Sequence, residues 1–300
     1  MINFLKYRWL YLTISLSVLI PGAYSLIRYG LKPSIDFVGG TVIEVSSIKY
    51  QVSSIEQEFK QKDIEVESIR EDNDVITIRT KPIEREQWEN IKNNIASESG
   101  SIATGSATVE STTSGALEEL RFETVGPILG KELLQKTMIA AGIAIVGILL
   151  YVAWAFKDFK FGISAIIALF HDLLVVIGTF SLFGHFMGVE VDVLFVTAVL
   201  TTMSFSVHDT IVVFDRTRES MRKEHLSLDE TVNKALTETM TRSLNNSMTI
   251  IFMLLALVLM GGETVRWFVA ALLIGTVSGT YSSPFVATPV LYWLKKRKYG

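Results

Sequence analysis

No cysteine occurs in the 300 residues. That absence excludes a disulfide-stapled secreted scaffold, a thiolate metal site and a cysteine nucleophile. Charge is also scarce: 20% of residues are Asp, Glu, Lys or Arg, against about 25% in an ordinary soluble domain. The formal net charge of -3 lacks the basic excess of a nucleic-acid binder, so no nucleic-acid partner is expected. Neither a G-x-x-x-x-G-K-[ST] phosphate loop nor an H-E-x-x-H metal motif is present. The chain is therefore expected to be no enzyme and to hold no metal or cofactor, taking its energy from a membrane gradient or a partner.

What is abundant is apolar sequence, with a mean hydropathy of +0.37 and the charge deficit concentrated after residue 136. A helix needs about 20 mostly apolar residues to cross a hydrocarbon core of about 30 Å. Six segments meet that demand: Trp9 to Arg28, Thr137 to Phe156, Phe161 to Phe183, Val191 to Phe214, Leu244 to Met260 and Val265 to Leu294. The last is long enough to tilt, or to bend near Pro284 and Pro289. The first follows Lys6 and Arg8 and is read as a retained helix, because its apolar stretch outruns the core of a cleaved signal peptide. Lys and Arg stay on the cytoplasmic side. With the amino terminus inside, that face collects Lys6, Arg8, Lys157, Lys160, Arg216, Arg218, Arg222, Lys223, Lys234, Arg242 and Lys295 to Lys298, whereas Gly184 to Glu190 and Gly261 to Thr264 carry no Lys or Arg. Both termini are then cytoplasmic, and residues 30–135 form an extracytoplasmic domain.

That insert changes its period in an ordered way. Thr41 to Ser47 alternates as a strand, Ser53 to Lys62 is helical, and Ile64 to Glu67 alternates again. Val75 to Thr80 is a third strand after the turn-forming Asn73-Asp74, Glu84 to Ala96 a second helix, and Leu117 to Val125 a last strand. The order β-α-β-β-α-β predicts a ferredoxin-like α+β domain. Ser97 to Gly115, rich in Ser, Thr and Gly, reads as a loop. The insert has no histidine, and its carboxylates scatter along solvated faces, so it reads as a binding surface.

Ionisable groups inside apolar segments are costly and mark partners or water-filled paths. The fourth segment carries His208 and Asp209, and the fifth begins with Arg242 followed by Asn245, Asn246, Ser247 and Thr249. An antiparallel neighbour offers Arg242 or the asparagines at the depth of Asp209. Such a carboxylate can alternate between paired and protonated forms as a proton-transfer unit, or serve as a static lock; composition alone leaves both open. The asparagines read as interhelical glue. His171 and Asp172 sit mid-helix in the third segment as relay members or packed polar contacts, pointing about 100° apart. Gly142 and Gly147, and the G-x-x-x-G of Gly275 and Gly279, predict close helix packing.

The stretch Ser204 to Ser220, SFSVHDTIVVFDRTRES, resembles the fourth-helix signature of the SecF family of protein-export membrane subunits. The same resemblance covers Asp36-Phe37-Val38-Gly39-Gly40-Thr41, Val125-Gly126-Pro127, Gly130-Lys131-Glu132-Leu133, His171-Asp172 and Gly279-Thr280-Tyr281-Ser282-Ser283. These follow the family's order over nearly the whole chain. The resemblance implies half of a resistance-nodulation-division transporter, with one helix, a large loop and five helices. It also implies pairing with SecD, association with the SecYEG channel, and use of the proton motive force on preproteins at the outer side of the bacterial inner membrane. By position Asp209 and Arg242 match the charged pair linked to proton passage. Asp36, Gly39 and Gly40 match the motif entering the extracytoplasmic domain, Gly126 and Pro127 the motif leaving it, and Asp215, Arg216, Arg218 and Glu219 the charged end of the fourth helix. His208 departs from the pattern, standing where many relatives carry another polar residue. Two rival readings are a half-transporter for small molecules or lipids, and a passive scaffold within the export channel.

Overall fold

Backbone amides in hydrocarbon find partners only within a helix or a closed barrel, and the apolar runs fold accordingly. The structure is a computed structural model that describes residues 3–46, 52–72, 75–101, 118–156, 158–223 and 227–296. In chain order its elements are α1 (Arg8–Tyr29), α2 (Ile35–Val38), β1 (Gly40–Ser46), α3 (Val52–Gln61), β2 (Val66–Asp72), β3 (Val75–Thr80), α4 (Arg85–Ser101), β4 (Glu119–Val125), α5 (Pro127–Ala155), α6 (Phe159–Phe186), α7 (Val193–Lys223), α8 (Leu228–Met260), α9 (Glu263–Ser282) and α10 (Thr288–Lys296). Contacts divide the chain into two units, one of residues 33–136 and one of the rest. Among the described residues, six helical stretches are long and apolar enough to cross a membrane, so the chain is a polytopic helical membrane protein carrying a small α+β unit.

In the helical unit α6, α7 and α9 lie inside, while α1, α5 and α8 keep most of their surface exposed. Small residues set the spacing. A Cβ built on Gly178 would fall 2.8 Å from the Cα of Gly22, so α1 and α6 touch backbone to backbone, and Ser25 and Ser181 share a hydroxyl contact of 2.9 Å beside that crossing. Gly275 lies so close to α7 that an added Cβ would sit 2.5 Å from the Thr202 Cβ, and at Gly279 it would sit 3.1 Å from the Ser206 Cβ. Neither contact is a flexible chain end, so Gly275→Ala must push α9 off α7. The expected cost is about 1–3 kcal/mol, read as a lowered thermal midpoint in detergent and relieved by Thr202→Gly. Gly142 and Gly147 do not behave as expected: a Cβ on either meets nothing within 4 Å, because the α5 face bearing them is not covered in this chain.

Segment boundaries also differ from expectation: α5 begins at Pro127, ten residues before the apolar run, and α7 runs on to Lys223, nine residues past its own. The fifth span starts at Leu228, sixteen residues before the apolar run, because Ser227 and Glu230 form a reciprocal capping box and Val232, Ala235 and Leu236 continue a buried stripe. The sixth span is interrupted at one of the two prolines the sequence marked: a π turn, Ser283–Ala287, carries Pro284 between α9 and α10. Proline removes one backbone donor, and hydroxyls fill in around it. Thr288 Oγ1 donates to the Ser283 carbonyl at 3.0 Å and Ser283 Oγ to that of Gly279 at 3.1 Å. The second strand runs Val66–Asp72 rather than Ile64 to Glu67, because Asp63 turns with φ 55° and a register shift between Val66 and Ser68 breaks the alternation.

The other unit has the element order β-α-β-β-α-β around an antiparallel sheet of order β2-β3-β1-β4. Its core is Ile43, Val45, Ile76 and Ile78 of the sheet against Ile55, Phe59, Trp88, Ile91 and Ile95 of α3 and α4. Helix α4 runs on to Ser101, into what the sequence suggested was loop; the rest of that stretch, the Asn73-Asp74 turn and Ser47 fall outside the described residues. Glu119 ties β4 to α4, accepting from Trp88 Nε1 at 2.8 Å and Arg85 Nη1 at 2.6 Å. Burial opposes its ionisation, but those hydrogen bonds and the charges of Arg85 and Lys92 outweigh it and hold its carboxyl below the usual range. The stabilisation is therefore complete above the unfolded value near 4.3 and is lost as pH falls from there through the depressed folded value. Glu119→Gln is expected to cost about 1–2 kcal/mol at neutral pH and to remove this acid-dependent loss in thermal unfolding of the full chain.

Candidate functional site

Helical phase decides which polar residues of the bundle turn inward. On α7, Thr202, Ser206, Asp209, Thr210, Val213 and Thr217 form the buried face. On α8, Thr239, Ser243 and Ser247 are buried, whereas Arg242, Asn245, Asn246 and Thr249 point outward and are exposed. Asp209 and Ser243 lie about equally far from the connection between the two helices, as an antiparallel hairpin requires.

Asp209 is 6% exposed, and its contact on α8 is Ser243, whose Oγ lies 2.6 Å from Oδ1 and 2.7 Å from Oδ2. One hydroxyl carries one proton, so it satisfies one carboxylate oxygen at a time. Arg242, the partner expected from the sequence, makes no ion pair with Asp209, and among the described residues it makes none with any other group. The reason is rotational. Adjacent helical residues point about 100° apart, so with Ser243 in the seam Arg242 leaves it. In an antiparallel pair the residues preceding the two seam positions turn to the same side, which sets exposed His208 beside Arg242 on one outer face. Thr197, Thr201 and Ser204 continue that exposed face along α7. At 1.5 Å per residue, Asp209 is about 24 Å and Arg242 about 27 Å from the short loops that start α7 and end α8, which puts both within the membrane-crossing length.

A second buried carboxylate is held differently. Asp172 is 4% exposed and accepts from Ser206 Oγ on α7 at 2.5 Å, and from Ser278 and Ser282 Oγ on α9 at 2.6 Å each. His171 Nδ1 adds a fourth contact at 3.0 Å, although adjacent helical positions were expected to diverge. Three serine donors and the imidazole contact fill both oxygens and clamp α6, α7 and α9 together. Thr210 and Ser283 add a hydroxyl pair at 2.9 Å between α7 and the π turn. None of the serines Ser206, Ser243, Ser278 or Ser282 stood out as a site residue in the sequence. The available signal was phase: Ser243 falls on the same helical stripe as Val232, Leu236 and Thr239, and Arg242 and Asn245 do not.

The remaining motif residues gather elsewhere. Arg216 reaches Glu219 at 2.8 Å and Glu238 of α8 at 2.5 Å, and Arg218 reaches Asp215 at 2.8 Å, so the charged end of α7 pairs within itself and with α8. Asp36 lies in the first turn of α2, whose cap Ser34 accepts from the Asp36 amide at 3.2 Å. Gly39 and Gly40 adopt φ of 80° and 137°, values that favour glycine. A Cβ at Gly39 would fall 2.8 Å from Pro127 Cα, and one at Gly130 would fall 2.9 Å from the Gly39 nitrogen. The motifs entering and leaving the α+β unit therefore pack directly on one another.

Residues 105–297 match the family described as "Protein export membrane protein SecD/SecF, C-terminal", and residues 24–47 match the "SecD/SecF GG Motif". A "Protein translocase subunit SecF" of Thermobaculum terrenum is 42% identical over 97% of this chain and 93% of its own length. One of Anaerolinea thermophila is 36% identical over the same shares, 97% and 93%. Among solved structures, SecDF from Thermus thermophilus, titled a translocon-associated membrane protein, superposes with a TM-score of 0.82 at 30% identity, covering 99% of this chain and 39% of that one. A SecDF in a super-membrane-facing form superposes at 0.64 with 27% identity and the same coverage. The chain thus spans well under half of the SecDF polypeptides it resembles.

Proposed function

This chain belongs to the SecD/SecF family of protein-export membrane proteins, and we propose that it is the SecF-type half of a SecDF assembly that couples the proton motive force to late steps of preprotein export. The observation carrying this reading is the polar outer face of α7 and α8, where His208, Arg242, Asn245 and Asn246 lie exposed at bilayer depth. A guanidinium in hydrocarbon costs several kcal/mol unless paired. The partner is a SecD-type bundle that brings a carboxylate and hydrogen-bonding groups to that face. Both termini are cytoplasmic, the span is the bacterial inner membrane, and the unit of residues 33–136 is an extracytoplasmic ferredoxin-like domain that meets preproteins emerging from SecYEG. No step of this function is hydrolytic.

The working parts divide by how firmly they are held. Asp172 binds α6, α7 and α9 into one block through four contacts, whereas Asp209 is tied to α8 by one hydroxyl. A proton taken up at Asp209 cancels the charge that Ser243 solvates, and the element free to respond is α8 sliding on that block. One charge moved through 100 mV supplies about 2.3 kcal/mol, enough to bias a two-state equilibrium about fifty-fold. The test is export of a preprotein into membrane vesicles holding SecYEG and SecD, with and without this chain, each with the proton gradient intact or collapsed. Gradient-dependent stimulation appears only with the chain present. Equal stimulation after collapse of the gradient overturns the coupling.

A further inference from the structure

A second polar tie joins α7 to α8. Seven residues beyond Asp209, two helical turns on and close to the same stripe, Arg216 reaches across: its Nε and Nη2 both lie 2.5 Å from Glu238 Oε2. The remaining arm turns back, Nη1 donating to Glu219 Oε2 on its own helix at 2.8 Å. Glu219 also holds Lys223 Nζ at 2.7 Å, whereas Glu238 has no partner besides Arg216 among the described residues. Arg216 is about 10 Å along α7 from Asp209 and Glu238 about 8 Å along α8 from Ser243, both toward the connection between the helices. One guanidinium therefore holds two carboxylates, one that moves with α8 and one that stays on α7.

Exposure sets the strength of the cross-helix bond. The Arg216 and Glu238 side chains are each about a third exposed, and an ion pair so open to water shifts an equilibrium by about two- to fivefold. One charge moved through 100 mV shifts it about fifty-fold, so the gradient easily overrides this bond. Release is reversible as well, because water takes up the freed Glu238 and Arg216 keeps Glu219. We infer that Arg216 and Glu238 are positioning residues for the coupling step, a latch that holds α8 in place while Asp209 is charged and sets how large a gradient is needed before α8 slides. The latch rests on the coupling role proposed for Asp209.

Two measurements on the full chain test it. In the export vesicles with SecYEG and SecD, preprotein export is followed as the gradient is raised in steps, and the gradient giving half of the maximal stimulation is read for each variant. Glu238→Gln is expected to lower that half-point by about 20–40 mV, the voltage at which one charge supplies a two- to fivefold bias, with the maximum unchanged. Arg216→Gln lowers it as much, the double variant lowers it no further, and Glu219→Gln, which leaves the bond to α8 in place, does not lower it. In the purified chain, backbone hydrogen exchange of the α8 segment around Glu238 rises about two- to fivefold in Glu238→Gln. A half-point that stays put while exchange rises makes the pair a static brace and overturns the latch. So do unchanged exchange, additive shifts in the double variant, or an equal lowering by Glu219→Gln, which would assign the effect to surface charge in general. A wild type that ignores the gradient refutes the coupling and the latch together, and is told apart from a failed latch by the missing stimulation.

Discussion

Asp209→Asn is expected to abolish the gradient-dependent part of preprotein export, a loss of up to about fifty-fold if one charge per cycle is coupled, while the variant still assembles with a SecD-type partner. The substitution keeps size and shape, and the amide still exchanges a hydrogen bond with Ser243. What it loses is the ability to exist in two charge states. Because Ser243 is the hydroxyl that contacts both oxygens of Asp209, Ser243→Ala provides a graded companion, leaving a titratable carboxylate without its α8 tether. The measurement is protease protection of an exported preprotein in vesicles with and without the gradient, alongside co-purification of the partner. An Asp209→Asn protein that retains full gradient dependence at normal expression would refute the role of Asp209.

Asp172→Asn is expected to act on stability, lowering it by about 2–4 kcal/mol. The carboxylate receives the hydroxyls of Ser206, Ser278 and Ser282 and contacts the His171 ring, two contacts to each oxygen. An amide replaces one of those oxygens with a donor, and whichever way it turns, at least one serine hydroxyl then faces an NH2 group. Ser282 has a second acceptor in the Gly279 carbonyl at 3.3 Å, whereas Ser206 or Ser278 loses the acceptor it bonds now. Ser282→Ala, which deletes a single donor, should cost about 1 kcal/mol. Thermal unfolding in detergent separates the two variants, and a wild-type midpoint for Asp172→Asn would mean that the cage does not hold the three helices together.

Much of the fold was legible because hydrocarbon imposes a length requirement that apolar runs either meet or fail. The period switches at Val75 and Glu84 located the starts of a strand and a helix of the α+β unit to within a residue for the same kind of reason, since one buried face leaves a periodic trace. The start of α8 was missed by treating the apolar run as the helix. Its true start, at Leu228, lies where only every third or fourth residue is apolar, and the Ser227–Glu230 capping box was the visible marker. The candidate site was half legible. Asp209 and Asp172 were conspicuous because charge is rare there, but their partners are serines, which are common enough in membrane helices to carry no signal by type. Pairing Asp209 with Arg242 followed chemical affinity and ignored rotation: one residue of phase separates the cation that attracts attention from the hydroxyl that makes the contact.

The two faces of α8 separate folding from assembly. Thr239, Ser243 and Ser247 are covered by this chain itself, whereas Arg242, Asn245, Asn246 and Thr249 touch little of it. A saturation scan along α8 should therefore yield two tolerance waves of the same 3.6-residue wavelength but shifted phase. Surface abundance of the isolated protein would dip at the first set, and genetic complementation in the complete export machinery would dip at both. Subtracting one profile from the other leaves a residue-resolution footprint of whatever lies against α8 in the cell.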